Sequence, residues 1–319
     1  MIEAIFKNLC PNCGGDISSY RLAKGLPCEK CLEEESENIC DVLKEGLLKE
    51  RCDIEKELNS WEEYFYKYTN LKPWALQKTW AKRVFLKESF SLIAPTGIGK
   101  SSFGISLAAF LSTRNKKSYV LVPTKLLLKQ TFDRLLSFGV KEEDILIFGL
   151  DAKKDKSLLK AQNYKILITT NMFLYKNEEL IPRDFDFIFV DDIDSFLKTA
   201  KNIDKLLYIM GFEKDIIDKT FELLKLKSFF RKNEAKLKAI SQEINDYLST
   251  HKQKTVLVLA SATSKPKSKR VLAFKELLGF ELSTPTYYLR NITDTFDEPP
   301  GYKLDYKALI KYINTFGKG

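Results

Sequence analysis

Apolar positions make the first divisions of the chain. Between residue 33 and about residue 63, Ile39, Val42, Leu43, Leu47, Ile54 and Leu58 recur at steps of three and four among acidic neighbours. That is the spacing of a helix packed along one face. Trp61, Tyr64, Phe65, Tyr66 and Trp74 follow as an aromatic-rich stretch, which reads as packing surface in preference to a base-stacking platform. From about residue 75, unbroken apolar runs at 90–94, 119–122, 145–148, 166–169, 187–190 and 256–260 alternate with helical stretches. Strands buried on both faces read this way, and helices between them make the connections parallel. An α/β domain with a parallel sheet is therefore predicted. The segment from 196 to about 250 breaks the rhythm. It is charged and helical, has no proline and one glycine, Gly211, and carries Leu206, Leu207, Ile216, Ile217, Leu223, Leu224 and Ile240 as its apolar faces. It is expected to be a helical insertion projecting from the sheet.

Composition narrows the class. The 319 residues allow roughly two domains, or one large domain with additions. A hydrophobic share of 44% excludes general disorder. Lys and Arg number 52 against 43 Asp and Glu, a net charge of +9 that suits a polyanionic partner and equally a solvated lysine-rich surface. No apolar run approaches the roughly 18 residues of a membrane span, and residues 1–6 lack the basic-then-apolar form of a secretory signal. A soluble, cytoplasmic protein without membrane contact is expected.

Two CxxC pairs, Cys10–Cys13 and Cys28–Cys31, stand 14 residues apart. Four thiolates so spaced close a tetrahedron around zinc, with Gly14 and Gly15 freeing backbone amides to face the sulfurs. A redox pair of CxxC motifs is the alternative. No open coordination position is indicated, so the metal is expected to be structural. Cys40 and Cys52, twelve residues apart on the predicted helix, read as separate buried or half-buried thiols.

Ala94-Pro95-Thr96-Gly97-Ile98-Gly99-Lys100-Ser101 follows a strand and opens a helix. It has the form of a phosphate-binding loop with Ala94 in place of the first glycine. Backbone amides and the helix N-terminus would hold phosphates, Lys100 would reach the β- and γ-phosphates, and Ser101 would ligate Mg²⁺. The run at 187–190 ends in Asp191 and Asp192. A carboxylate there lies beside the phosphate loop of an open parallel sheet. Asp191 is expected on Mg²⁺ and Asp192 on the attacking water, with Asp194 or Ser195 as the cap of the next helix. ATP is the implied cofactor. The seven basic residues between Lys252 and Lys275 meet no acidic one, and Lys265, Lys267, Lys269 and Arg270 cluster among them. They form either a phosphate-contacting loop, indifferent to base sequence, or a solvated one. Tyr20, Arg21 and Lys24, between the cysteine pairs, offer a second grip on a duplex. His251 needs no catalytic role.

These residues carry a family resemblance. Gln77, Ala94 to Ser101, Pro123-Thr124-Lys125, Thr169-Thr170, Asp191-Asp192 and Ser261-Ala262-Thr263 stand in the order of superfamily 2 helicase motifs. The four-cysteine knuckle, Trp80-Ala81-Lys82-Arg83, the Asp-Asp-x-Asp form of the acidic motif, residues 200–212, 261–267 and 274–280, and Leu289-Arg290-Asn291-Ile292 resemble reverse gyrase through nearly the whole chain. Ser101 stands where threonine is commoner in that family. The resemblance implies a RecA-like P-loop domain with a helical insertion and a small zinc knuckle. It also implies that Gln77 reads the adenine edge, that Thr124, Lys125 and Thr170 touch nucleic acid, and that Ser261 and Thr263 couple the two sites. Reverse gyrases join a helicase-like ATPase to a type IA topoisomerase and introduce positive supercoils into DNA, single- and double-stranded regions both being contacted. No second motif set, arginine finger or assignable nucleophile among the 14 tyrosines is recognised, so a second RecA-like domain and the topoisomerase are expected elsewhere in a longer protein. Expected boundaries are 1–36 for the zinc finger, 37–74 for a helical packing segment, 75–195 with 251–295 for the ATPase domain, 196–250 for the insertion, and 296–319 for a connection onward.

Overall fold

A computed structural model describes residues 4–33, 39–148, 163–227, 234–262, 269–280 and 282. The knuckle opens on two short antiparallel strands, β1 (Ile5–Phe6) and β2 (Ile17–Ser18). Helix α1 (Ser19–Ala23) follows, its N-terminus capped by the Ser18 hydroxyl, which accepts from the Arg21 N–H. The expected long acidic helix is two helices, α2 (Ile39–Val42) and α3 (Leu47–Thr69). They part before Gly46, whose φ of +105° suits only glycine. A Cβ there would lie 2.6 Å from the Asn12 side-chain amide. This break corrects the reading of the two remaining cysteines, because Cys40 and Cys52 form a disulfide. On one continuous helix, twelve residues would hold them about 18 Å apart. With the helix broken, their Cα atoms are 5.4 Å apart.

The aromatic stretch packs largely as expected. Trp61 and Phe65 are buried on α3, and Trp61 meets Phe103 edge-on at 6.0 Å. Tyr66 and Trp74 remain exposed. Helix α4 (Ala75–Phe85) then leads into a six-stranded sheet: β3 (Phe90–Ile93), β4 (Ser118–Val122), β5 (Ile145–Ile147), β6 (Ile166–Thr170), β7 (Phe187–Asp191) and β8 (Val256–Ser261). Their order is β3-β8-β7-β4-β6-β5 and every pairing is parallel. Each predicted apolar run is a strand, with ends shifted by a residue at most. Helices α5 (Lys100–Thr113), α6 (Lys125–Ser137) and α7 (Asn171–Asn177) follow β3, β4 and β6.

Chain order does not show that β8, the last strand, enters between β3 and β7. Its register sets Ser261 beside Ile93 and Ala260 beside Asp191. Between β7 and β8 come α8 (Ile193–Phe196), α9 (Asn202–Ile209), α10 (Lys214–Lys227) and α11 (Glu234–Thr250). These helices do not project from the sheet. Leu206, Leu207, Ile216, Ile240 and Ile244 share one core with Leu121, Leu167, Ile188 and Leu257 of the strands, because each helix turns a full apolar face inward. Helix α12 (Ala273–Leu278) adds Phe274 and Leu277 to that core. The expected segment 296–319 lies outside the described residues. No helix among those described is long and apolar enough to cross a membrane.

Helix α5 rests unusually close to the sheet at Gly104, where a Cβ would meet the Phe189 ring at 2.4 Å. Gly104→Ala is therefore expected to destabilise the fold by about 1–3 kcal/mol through overpacking, despite alanine's better helix propensity. Thermal or denaturant unfolding of the variant checks this.

Candidate nucleotide and zinc sites

The loop from Ala94 to Gly99 joins β3 to α5 and takes positive φ at Gly97 (+89°) and Gly99 (+87°). Its start is tied to the neighbouring strand by Ala94 N–H donating to the Ser261 carbonyl at 3.1 Å. No acidic residue occupies the first turn of α5, so the positive end of that helix is left to an anion. Lys100 Nζ donates to the Ala94 and Pro95 carbonyls at 2.6 and 2.7 Å, which aims it along the loop. Burial draws its ammonium below the ordinary value, and the charge of Asp191 opposes this.

Ser101 Oγ donates to Asp191 Oδ1 at 3.0 Å, closing a link between residues 90 apart in the chain. Burial pushes the Asp191 carboxyl up; the Ser101 hydrogen bond, Lys100 and Arg134 pull it down, and Asp192 pushes it up. A hydroxyl and a carboxylate side by side beneath a phosphate-binding loop are the donor set for Mg²⁺. Both line a cleft of about 520 Å³ with Thr96, Gly97, Lys100 and Asp192.

Asp192 stands in the left-handed region, φ +71° and ψ +79°, a conformation that aspartate tolerates better than most residues. Its carboxylate accepts from the Ser195 N–H at 3.4 Å and so caps α8. The cap expected from residue order is Asp194 or Ser195. Asp194 instead accepts from Ser261 Oγ at 2.7 Å, joining the acidic stretch to the end of β8.

Gln77 is buried against the loop. Its Oε1 accepts from the Trp74 N–H at 3.0 Å, and its Nε2 donates to the Gly99 carbonyl at 3.3 Å. Both ends of the amide brace α4 and the phosphate loop in this arrangement. Thr124 and Thr170 cap α6 and α7, accepting from Leu127 and Phe173 N–H groups at the carboxyl ends of adjacent strands. Lys125 is exposed beside them. Arg270 lies in hydrogen-bond contact with both Asp204 carboxylate oxygens, its guanidinium over the Phe221 ring at 4.3 Å, so its charge is engaged within the fold. Thr263, Lys265 and Lys267 lie outside the described residues, and Lys269 opens a short 3₁₀ turn.

The four knuckle sulfurs lie within 4.8 Å of one another. Cys28–Cys31, Cys13–Cys28 and Cys10–Cys31 sulfurs are 3.6, 3.7 and 4.0 Å apart. A zinc tetrahedron with bonds of about 2.3 Å has edges of about 3.8 Å, so the donor set fits the metal. Amides of Gly15 and Cys28 donate to Cys13 and Cys10 sulfurs, both at 3.3 Å, as thiolates require. Burial raises the Cys10 thiol, yet the amides of Cys28, Cys13 and Asn12 outweigh it and bring it down to about 6.

Arg21 proves structural. It is buried, and its guanidinium donates to the Pro27 and Leu32 carbonyls on either side of the second cysteine pair. Of the knuckle's three expected duplex-gripping residues, Tyr20 is exposed and Lys24 Nζ lies 4.3 Å above its ring. Sequence reasoning missed Asn12, whose side chain donates to the Glu45 carbonyl and accepts from the Leu48 N–H, clamping the knuckle to α3. It also missed Arg134 of α6, which lines the cleft beside the phosphate loop and donates to Ser102 Oγ at 3.2 Å.

Comparison with known proteins agrees with this geometry. Residues 1–50 match the family model "Reverse gyrase zinc finger". Residues 66–207 match "Type III restriction enzyme, res subunit". Reverse gyrase 1 of Aquifex aeolicus is 49% identical across all of this chain. This chain is related along its whole length to the reverse gyrases. The reverse gyrases of Methanocaldococcus jannaschii and Thermococcus kodakarensis are 37% and 36% identical, again across the whole chain. The chain spans about a quarter of the length of these relatives, 28%, 20% and 21% in turn. The N-terminal cluster is thus a four-cysteine zinc-finger site, and the sheet is a helicase-like RecA fold carrying a phosphate-binding loop.

Two outcomes follow from the sites. Metal analysis of the purified chain should find about one zinc per molecule, released on acidification as the thiolates take up protons. A metal-free protein with Cys10, Cys13, Cys28 and Cys31 in disulfides would overturn the assignment. Lys100→Ala should abolish binding of a fluorescent ATP analogue while leaving the unfolding temperature within a few degrees, since among the described residues Lys100 donates its hydrogen bonds to its own loop.

Proposed function

We propose that this chain is the ATP-binding, helicase-like part of a reverse gyrase, the longer protein introducing positive supercoils into DNA at the expense of ATP. The observation that carries the reading is the Ser101–Asp191 hydrogen bond beneath the loop that Lys100 enters, found in a chain related to reverse gyrases from end to end. In this reading the amides of residues 95–99 and Lys100 hold the phosphates. Ser101 and Asp191 hold Mg²⁺, and Asp192 orients the attacking water from the position its backbone gives it. When bound, the metal neutralises charge between the β- and γ-phosphates. Gln77 meets the adenine edge on one side and the Gly99 carbonyl on the other.

Ser261, bonded to Asp194, passes the state of the acidic stretch to β8, and Thr263, two residues on in the chain, is assigned the same coupling role. DNA lies along the carboxyl edge of the sheet, where Thr124, Lys125 and Thr170 stand; Lys265, Lys267 and Lys269 of the basic cluster supply further phosphate contacts, while Arg270 stays paired with Asp204. Contacts there go to phosphates and carry no base specificity. The zinc finger adds Tyr20 and Lys24. The second RecA-like domain, which supplies a charge-stabilising arginine, and the topoisomerase belong to the rest of the protein. Without that arginine, hydrolysis by this chain alone is expected to be slower by about 10³ or more. The site of action is the cytoplasm.

The test uses the protein encoded by the gene that carries this sequence. Incubated with negatively supercoiled plasmid and ATP, it should yield positively supercoiled topoisomers on two-dimensional gels, and Asp191→Ala should abolish them. ATP-driven strand separation with no change in linking number would make the protein a helicase with a zinc module instead.

A further inference from the structure

Arg134 has no part in the reading so far, yet it stands in the nucleotide cleft. It projects from α6 opposite the first turn of α5, and Ser102, the residue after the metal-side serine, accepts from it at 3.2 Å. A second cavity, of about 340 Å³, opens between α5 and α6 and shares Ser101, Arg134 and Asp191 with the phosphate cleft. Arg134 therefore occupies the wall common to both spaces, on the side of Asp191 rather than on the side of Gln77. Its charge is among those that stabilise the Asp191 carboxylate against burial.

Charge placement decides what that guanidinium does when the site is filled. Among the described residues, Lys100 and Arg134 are the cations lining the cleft, and Asp191 and Asp192 are its carboxylates. With Ser101 and Asp191 engaged by a divalent ion, the guanidinium of Arg134 would be left to the phosphates that the loop receives. A nucleoside triphosphate seated on the loop would bring its terminal phosphate toward the Asp191 side of the cleft, the side that Arg134 lines. A planar guanidinium fits a phosphate through two parallel hydrogen bonds, which an ammonium cannot do.

We infer that Arg134 is a nucleotide-binding residue that reads the terminal phosphate of a nucleoside triphosphate, a cation supplied in cis by α6. The inference rests on the nucleotide site proposed above. Lys100 serves both di- and triphosphates; Arg134 separates them.

The test compares the unaltered chain with Arg134→Gln and Arg134→Lys, using fluorescent ADP and a fluorescent non-hydrolysable ATP analogue, each with Mg²⁺. Arg134→Gln should bind the triphosphate about tenfold more weakly, the loss of a charged hydrogen bond, and keep ADP affinity within about twofold. Arg134→Lys should recover only part of the difference. Unfolding temperatures confirm that each variant is folded. Equal weakening toward both nucleotides, or no change toward either, overturns the role of Arg134. If the unaltered chain binds both nucleotides and Lys100→Ala binds neither, that result leaves the proposed nucleotide site standing. If the unaltered chain binds neither nucleotide, the site and this inference fall together.

Discussion

The phosphate-loop site of this chain depends on one constraint: the six strands of the large sheet run parallel. Parallel strands deliver their carboxyl ends to a single edge, so loops far apart in the chain are forced to meet there. The phosphate loop after β3, the acidic stretch after β7 and the Ser-Ala end of β8 become neighbours for this reason alone. The entry of β8 between β3 and β7 then sets the spacing. It places the Ser261 carbonyl where it receives the Ala94 N–H, and its hydroxyl where Asp194 accepts it. A reversal of any one strand would take its loop to the opposite edge and dissolve the site.

Within that edge the chemistry is a balance between burial and charge. Burial of Asp191 disfavours its ionised form, and Ser101, Lys100 and Arg134 oppose that effect without cancelling it. Lys100 is disfavoured in its turn by burial and held by Asp191. The backbone carries its share of constraint at Gly97, Gly99 and Asp192, three residues with positive φ within one cleft. Such conformations persist only where surrounding contacts enforce them. Gln77 bears on Gly99 so closely that a Cβ there would lie 2.7 Å from its amide nitrogen.

Much of this was legible from residue order, and what was not has a common cause. Unbroken apolar runs located all six strands because burial on both faces leaves no room for alternation. The loop at 94–101 and the CxxC pairs were readable because their chemistry lies in consecutive or nearly consecutive residues. Contacts made by the topology were not. Nothing near Arg134 marks it as part of a nucleotide cleft, since α6 reaches α5 only through the crossover after β4. Arg21 looked like a surface cation because its carbonyl partners, Pro27 and Leu32, carry no side-chain signal. The Cys40–Cys52 bond was hidden by helical periodicity that continued across Gly46, where the helix stops. The inward-facing helices at 202–250 were misplaced for a related reason. An amphipathic pattern shows that a face is covered and does not show by what.

The Asn12 clamp has a mechanical consequence. Asn12 sits between two zinc-ligating cysteines and holds the first turn of α3, while Trp61 further along α3 packs on Phe103 in the helix that begins at the phosphate loop. Metal, helix and loop are thus coupled in series through stiff elements. Displacement of the cysteine-rich hairpin would be transmitted along a lever of about 20 Å to the base of the helix behind the phosphate loop, arriving as a tilt rather than being lost in a slack tether.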